Sequence, residues 1–69
     1  MENITSPISG QVIKILTQVG QEVTEDTELV IIEAMKMENV VYCDGGTVKE
    51  IKVKVGDRVQ EDDILVIIE

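Results

Sequence analysis

Apolar positions in this chain come in short runs, many of them alternating, and the runs are broken by Gly10, Gly20, Gly45-Gly46 and Gly56 and by acidic clusters. No stretch holds the 3.6-residue period of an amphipathic helix, so the pattern predicts strands and turns. Strands are predicted over residues 11–17 and 47–53, followed by glycine turns at Val19-Gly20-Gln21 and Val55-Gly56-Asp57. Short strands at Val23 and Val59 come next, then acidic turns at Glu25-Asp26-Thr27 and Glu61-Asp62-Asp63, then strands ending at Glu33 and Glu69. The turn glycines are expected at positive φ. Ile15, Ile51, Val53, Val19 and Val55 share a parity that points them inward, whereas Val12 and Val48 have the opposite one; a bulge or sheet switch near residue 13 reconciles them. Alternation alone leaves open whether Val30 and Ile32 or Leu29 and Ile31 face the core.

Residues 9–33 laid over 45–69 at a constant offset of 36 give 13 identities in 25 positions without a gap. They include Gly10/Gly46, Val12/Val48, Gly20/Gly56, Val23/Val59 and the run from Leu29 to Glu33 against that from Leu65 to Glu69. What recurs is turns and core positions, the mark of an internal duplication. Each half is too small to cover its own apolar face, so two similar β units should pack face to face about a pseudo-twofold axis. Residues 1–69 therefore read as a single all-β domain, a small sandwich or flattened barrel.

Composition narrows what such a domain can do. Val and Ile contribute 11 and 10 residues against 4 for Leu and Ala together, a strand composition stiff at χ1. At 69 residues the fold buries only about 60% of the surface its unfolded chain exposes, which leaves no room for a large enclosed active site. There is no histidine, so imidazole-dependent nucleophilic chemistry is excluded and a transition-metal site is disfavoured. The formal charge of −8 and the single aromatic, Tyr42, argue against nucleic acid. The longest apolar run, 29–32, is far short of the about 20 residues of a membrane span, and the N-terminus lacks the basic start of a signal peptide. With a lone Cys43, no internal disulfide can form, and a cytoplasmic address is expected.

The halves differ at one place. The first continues past Glu33 into Ala34-Met35-Lys36-Met37-Glu38-Asn39 and then Val40-Val41-Tyr42-Cys43. Two β segments, 29–34 and 37–43, flank Met35-Lys36 with almost no spacer, so these two residues should form a tight hairpin turn with Lys36 at its tip. Such turns favour Asn-Gly or Asp-Gly, because both central residues need positive φ, and Met-Lys costs roughly 1 kcal/mol or more per left-handed residue. Breaking a local rule in this way marks a functional position. Spacing and composition leave a plainer alternative standing: hairpin lysines are commonly solvated edge guards, and methionine pairs commonly fill cores. Lys49, Lys52, Lys54 and Arg58 read as a solvated sheet face, and Tyr42 and Cys43 as packing or edge residues.

Glu33-Ala34-Met35-Lys36-Met37-Glu38 resembles the attachment motif of biotinyl domains, the biotin carboxyl carrier modules of acetyl-CoA carboxylase and related carboxylases, decarboxylases and transcarboxylases. The resemblance runs along nearly the whole chain. Ser6-Pro7-Ile8-Ser9-Gly10 is similar to the family's entry into its first strand, and Val19-Gly20-Gln21-Glu22-Val23 to its glycine turn. It implies two antiparallel four-stranded sheets, biotin as covalent cofactor on Lys36, and Met35 and Met37 as the flanking pair. The chain departs from the family at Tyr42-Cys43, where many relatives have a small residue and a proline, and it lacks the insertion that forms a protruding thumb in some acetyl-CoA carboxylase carriers. Lipoyl domains share the fold but usually carry Asp-Lys-Ala at this tip.

What the resemblance implies agrees with amine chemistry. An exposed lysine amine is almost wholly protonated at neutral pH, so the base that activates it must belong to a ligase. The chain then needs only to hold a lysine where biotin protein ligase reaches it, and a one-residue slip would turn the side chain to the other face. Once loaded, the arm would carry carboxyl groups between a biotin carboxylase and a carboxyltransferase at an effective concentration on the order of mM. The domain is a carrier, not an enzyme, and is expected to be monomeric. Glu33 and Glu38, with Ala34 inside the motif, are candidates for ligase recognition; the acidic surface is otherwise explained by solubility. A lipoyl carrier and an unmodified β interaction module are the alternatives.

Overall fold

The computed structural model describes residues 2–69, and the β-branched segments form eight strands with no helix among the described residues. These are β1 (Glu2–Thr5), β2 (Gly10–Ile15), β3 (Glu22–Thr24), β4 (Val30–Ala34), β5 (Met37–Val41), β6 (Gly45–Ile51), β7 (Arg58–Val59) and β8 (Ile64–Ile68). They make two four-stranded antiparallel sheets, ordered β1-β8-β6-β3 and β5-β4-β2-β7.

The offset of 36 is visible in the pairing. Val12 opposes Ile32 and Val48 opposes Ile68, Lys14 opposes Ile31 and Glu50 opposes Ile67, and both ladders slip at the same point, Ile13 and Lys49. The bulge expected near residue 13 is therefore present twice. The units also exchange their short strands: β3 pairs with β6 and β7 with β2. Each glycine turn locks onto the other unit's first strand, Gly20 N donating to Val48 O and Gly56 N to Val12 O, both within 2.8 Å. Turn caps recur even where side chains differ. Gln18 N donates to Gln21 Oε1 as Lys54 N does to Asp57 Oδ2, and Thr24 N to Thr27 Oγ1 as Gln60 N does to Asp63 Oδ2.

Between the sheets, Val12, Val30, Ile32 and Val41 meet Ile4, Val48, Val66 and Ile68, with Leu29 and Leu65 wholly buried. Each such side chain contributes about 1.5–3 kcal/mol by leaving water. Val30 and Ile32 face this core; Ile31 is buried on the outer face between Val40 and Lys14, and Leu29 joins the core just before β4 begins.

Several expectations are corrected. Val19 and Val55 are 63% and 62% exposed, because both sit at the glycine turns, where the chain has left the sheet and parity no longer applies. Ile15, Ile51 and Val53, by contrast, do pack against the core as their parity predicts, partly buried. Strands 11–17, 47–53 and 37–43 end two residues early, at Ile15, Ile51 and Val41. Lys49 and Arg58 stand on different sheets, and Lys52 and Lys54 lie beyond β6, so the four cations share no face. Tyr42 is half exposed, while Cys43 is buried in the core with its sulfur accepting from Gly45 N.

β1 was not foreseen in the pattern. Its signal is the tripeptide Met-Glu-Asn at the start of the chain, which recurs at Met37-Glu38-Asn39 with the same offset. The structural match is shifted by one: Ile4 opposes Val66, whereas it is Val41 that opposes the equivalent Val30.

Candidate functional site at the β4–β5 hairpin

β4 and β5 pair without a slip from Val30/Val41 to Ala34/Met37, which leaves Met35 and Lys36 as a two-residue turn. Their φ angles are 54° and 64°, the left-handed pair that a primed hairpin turn requires. For residues with side chains this costs about 1–2 kcal/mol each, so the ladder behind the turn must hold it in place. Ala34 anchors that ladder. It is 7% exposed, and Gly10 of the neighbouring β2 lies so close to β4 that a Cβ there would overlap the Glu33 carbonyl oxygen and stand 3.1 Å from the Ala34 Cβ.

Beyond the anchor everything is open. Met35 is 86% and Met37 64% exposed, and Lys36 is exposed with no hydrogen bond or ion pair among the described residues. Glu33 and Glu38 are exposed directly opposite each other, one step behind the tip. Like charges so placed are destabilising, so this pair, like the turn, opposes local stability. Of the six motif residues, Met35, Lys36 and Met37 form the projecting tip, Glu33 and Glu38 its shoulders, and Ala34 is a packing foot rather than a contact surface. The residue missed in the motif reading is Gly10. It does not have positive φ, and its role is close approach; its recurrence as Gly46, which presses equally on Ile68 and Glu69, was the available signal.

The tip thus offers one primary amine, freely approached, on a rigid and strained bend. No group of three or more His, Cys, Asp or Glu side chains that could hold a metal ion occurs among the described residues. An outward, unpartnered amine fits a cofactor joined through an amide bond, and nothing at the tip obstructs an incoming acyl group.

Comparison with known proteins bears on which cofactor that is. The family model described as "Biotin-requiring enzyme" matches residues 2–68. The biotin carboxyl carrier protein of Streptococcus mutans is 47% identical over 36 residues, covering 52% of this chain and 28% of that protein. The crystal structure of Kluyveromyces lactis urea carboxylase superposes with a TM-score of 0.91 at 36% identity, over 99% of this chain and 6% of that one. A single-chain, multi-domain long-chain acyl-CoA carboxylase does so with a TM-score of 0.88 at 26% identity, over 94% and 6%. The chain therefore spans only a small part of these relatives. An all-β fold of two four-stranded sheets, a family match along almost its whole length and an exposed lysine hairpin lead to one assignment: the chain belongs to the biotin-requiring family, as a biotinyl domain whose cofactor is biotin.

Proposed function

We propose that Lys36 is the residue biotinylated, that biotin protein ligase performs the attachment, and that the domain serves a biotin-dependent carboxylase as its carboxyl carrier. The observation that carries this reading is the Met35-Lys36 turn itself: two non-glycine residues at φ 54° and 64°, with the amine unpartnered at the tip. In the attachment, the ligase-bound biotinyl-adenylate is attacked by the deprotonated Lys36 Nζ. The amide bond forms, the acyl–phosphate bond breaks, AMP leaves, and the amine proton passes to a base of the ligase. The chain contributes position alone, and Met35 and Met37 offer flexible, polarizable side chains to whichever partner grips the tip.

When attached, biotin supplies a ureido nitrogen that takes up and releases a carboxyl group, and this chain's residues supply the tether. Partners consistent with the urea and acyl-CoA carboxylase neighbours are a biotin carboxylase and a carboxyltransferase. The reading includes a single monomeric domain and a cytoplasmic address, the latter on the ground that Cys43, the chain's one cysteine, has no thiol to pair with. Glu33 and Glu38, exposed one step behind the tip, steer a basic ligase surface onto it in this reading.

Incubation with an active biotin ligase, ATP and biotin, followed by intact mass and streptavidin binding, tests it. One biotinyl group is expected on the wild type and none on Lys36→Ala. A signal that survives Lys36→Ala, or no signal with an active ligase, rejects the assignment; the second outcome is what a lipoyl carrier or an unmodified module would give.

A further inference from the structure

The face of the hairpin is not the only feature at this end of the molecule. A cleft of about 330 Å³ lies beside it, lined by Ser9, Gly10, Arg58, Val59 and Gln60. Gly10 opposes Val59 of β7 on one side and lies next to Ala34 of β4 on the other. The cleft and the lysine hairpin are therefore on strands two spacings apart, about 10 Å, at the same end of one sheet. A lysine side chain extended through a valeryl amide spans that gap. The volume is at the small end of the range that holds compact ligands.

The cleft is held by hydrogen bonds from below. Ser9 Oγ accepts from Glu61 N at 3.2 Å, Asp63 Oδ2 from Gln60 N at 2.8 Å, and Ser6 O from Asp62 N at 2.9 Å. Ser9 therefore still has its hydroxyl proton to donate. Gln60 offers an amide that both donates and accepts, and Val59, whose side chain belongs to the core, lines the cleft only with the small part of its surface left exposed. Arg58, the single arginine of a chain with formal charge −8, has no ion pair or hydrogen bond among the described residues. A guanidinium left unpaired among so many carboxylates is a donor fork without an acceptor.

The duplication supplies a control that most sites lack. At the opposite end, the offset of 36 puts Gly45, Gly46, Glu22, Val23 and Thr24 where the cleft has Ser9, Gly10, Arg58, Val59 and Gln60. The backbone pairing is the same, Val23 opposing Gly46 and Glu22 opposing Thr47. The glycine and valine are retained, but the serine becomes a glycine, the arginine an acid, and Gln60 becomes Thr24, whose hydroxyl is engaged with Thr27 Oγ1 and Asp26 N. Of the two equivalent ends, the one that carries a guanidinium is the one beside the hairpin that bears Lys36.

We propose that this cleft is a resting site for the biotin headgroup on the chain's own arm. The bicyclic ring lies against Gly10 and the exposed edge of Val59, its ureido oxygen accepts from the Arg58 guanidinium and the Ser9 hydroxyl, and its ureido N–H donates to the Gln60 carboxamide oxygen. The proposal rests on attachment at Lys36. Its lining residues Ser9, Arg58 and Gln60 are exposed, so the arm leaves the site readily to visit partner enzymes.

The test uses the 15N-labelled chain before and after ligase-catalysed loading, with loading verified by intact mass. Expected are amide shifts at Ser9, Arg58 and Gln60 and nuclear Overhauser contacts from the ring protons to Arg58 and Gln60 side chains. In Arg58→Glu, which installs the residue of the opposite end, the loaded chain should lose both, with the rest of its amide spectrum unchanged. Shifts confined to residues 34–38 in the loaded wild type overturn the proposal while leaving the Lys36 assignment intact, as do contacts that persist in Arg58→Glu. Failure to load overturns both.

Discussion

The hairpin end and the opposite end of this molecule are built from the same parts. In one, β4 and β5 are joined by Met35-Lys36; in the other, their counterparts β8 and β1 lie side by side as the last and first strands of the chain. Core contacts, bulges, glycine turns and turn caps repeat between them, while the strained turn, the opposed glutamates and the arginine cleft occur once. The proposed function is thus concentrated where the repeat fails, and the repeated part is the mount for it.

Substitutions can break that comparison, beginning with the core. Ile32→Ala and Ile68→Ala remove equivalent, fully buried side chains, and each should cost about 2–5 kcal/mol in denaturant unfolding. The two losses should agree within about 1 kcal/mol; a larger disparity would show that one half dominates the fold. On the functional side, exchanging Met35 and Lys36 keeps the composition but turns the amine to another direction. Ligase-catalysed loading should then fall on the order of 100-fold, the scale on which small misplacements slow a positioned reaction. Loading at the wild-type rate would mean that position is not what the hairpin provides.

The glycine pair gives a smaller, asymmetric effect. Gly10→Ala should destabilise by about 1–3 kcal/mol through overlap with β4, and Gly46→Ala by more, since its φ of 141° adds backbone strain to a similar overlap with Ile68 and Glu69. Thermal melts of the two variants decide the order. Met35→Gly should instead stabilise by about 1 kcal/mol, because glycine accepts left-handed φ, while slowing loading by loosening the tip. A variant no more stable than wild type would show the turn to be unstrained.

Smallest is Thr17→Val. The Thr17 hydroxyl is buried without a hydrogen-bond partner among the described residues, and the equivalent position is Val53, so the change should be neutral or stabilising by up to about 1 kcal/mol. A clear loss in a urea titration would reveal a partner for that hydroxyl.

Much of this was legible from order alone, for a physical reason. Glycine turns, acidic turns and β-branched runs encode local backbone states: their recurrence at offset 36 carried the duplication, the parity of alternate positions carried the bulge near residue 13, and two strands with almost no spacer between them carried the positive φ of Met35-Lys36. These depend on interactions within a few residues, or on the counting of alternate positions along one strand. Side-chain destinations past the strand ends did not follow: Val19 and Val55 have inward parity but sit on turns, where alternation has no meaning.

Tertiary contact decided the rest. The exchange of β3 and β7 between units, the one-residue shift of β1 against β5, and the pairing of β7 with β2 all bring together segments far apart in the chain. No local propensity encodes which strand edge another strand will cover; that choice is made by burial of the shared core. Arg58 shows the consequence: in the chain it reads as one of several surface cations, and only the packing of β7 against β2 sets it beside Gly10 and the hairpin that carries Lys36.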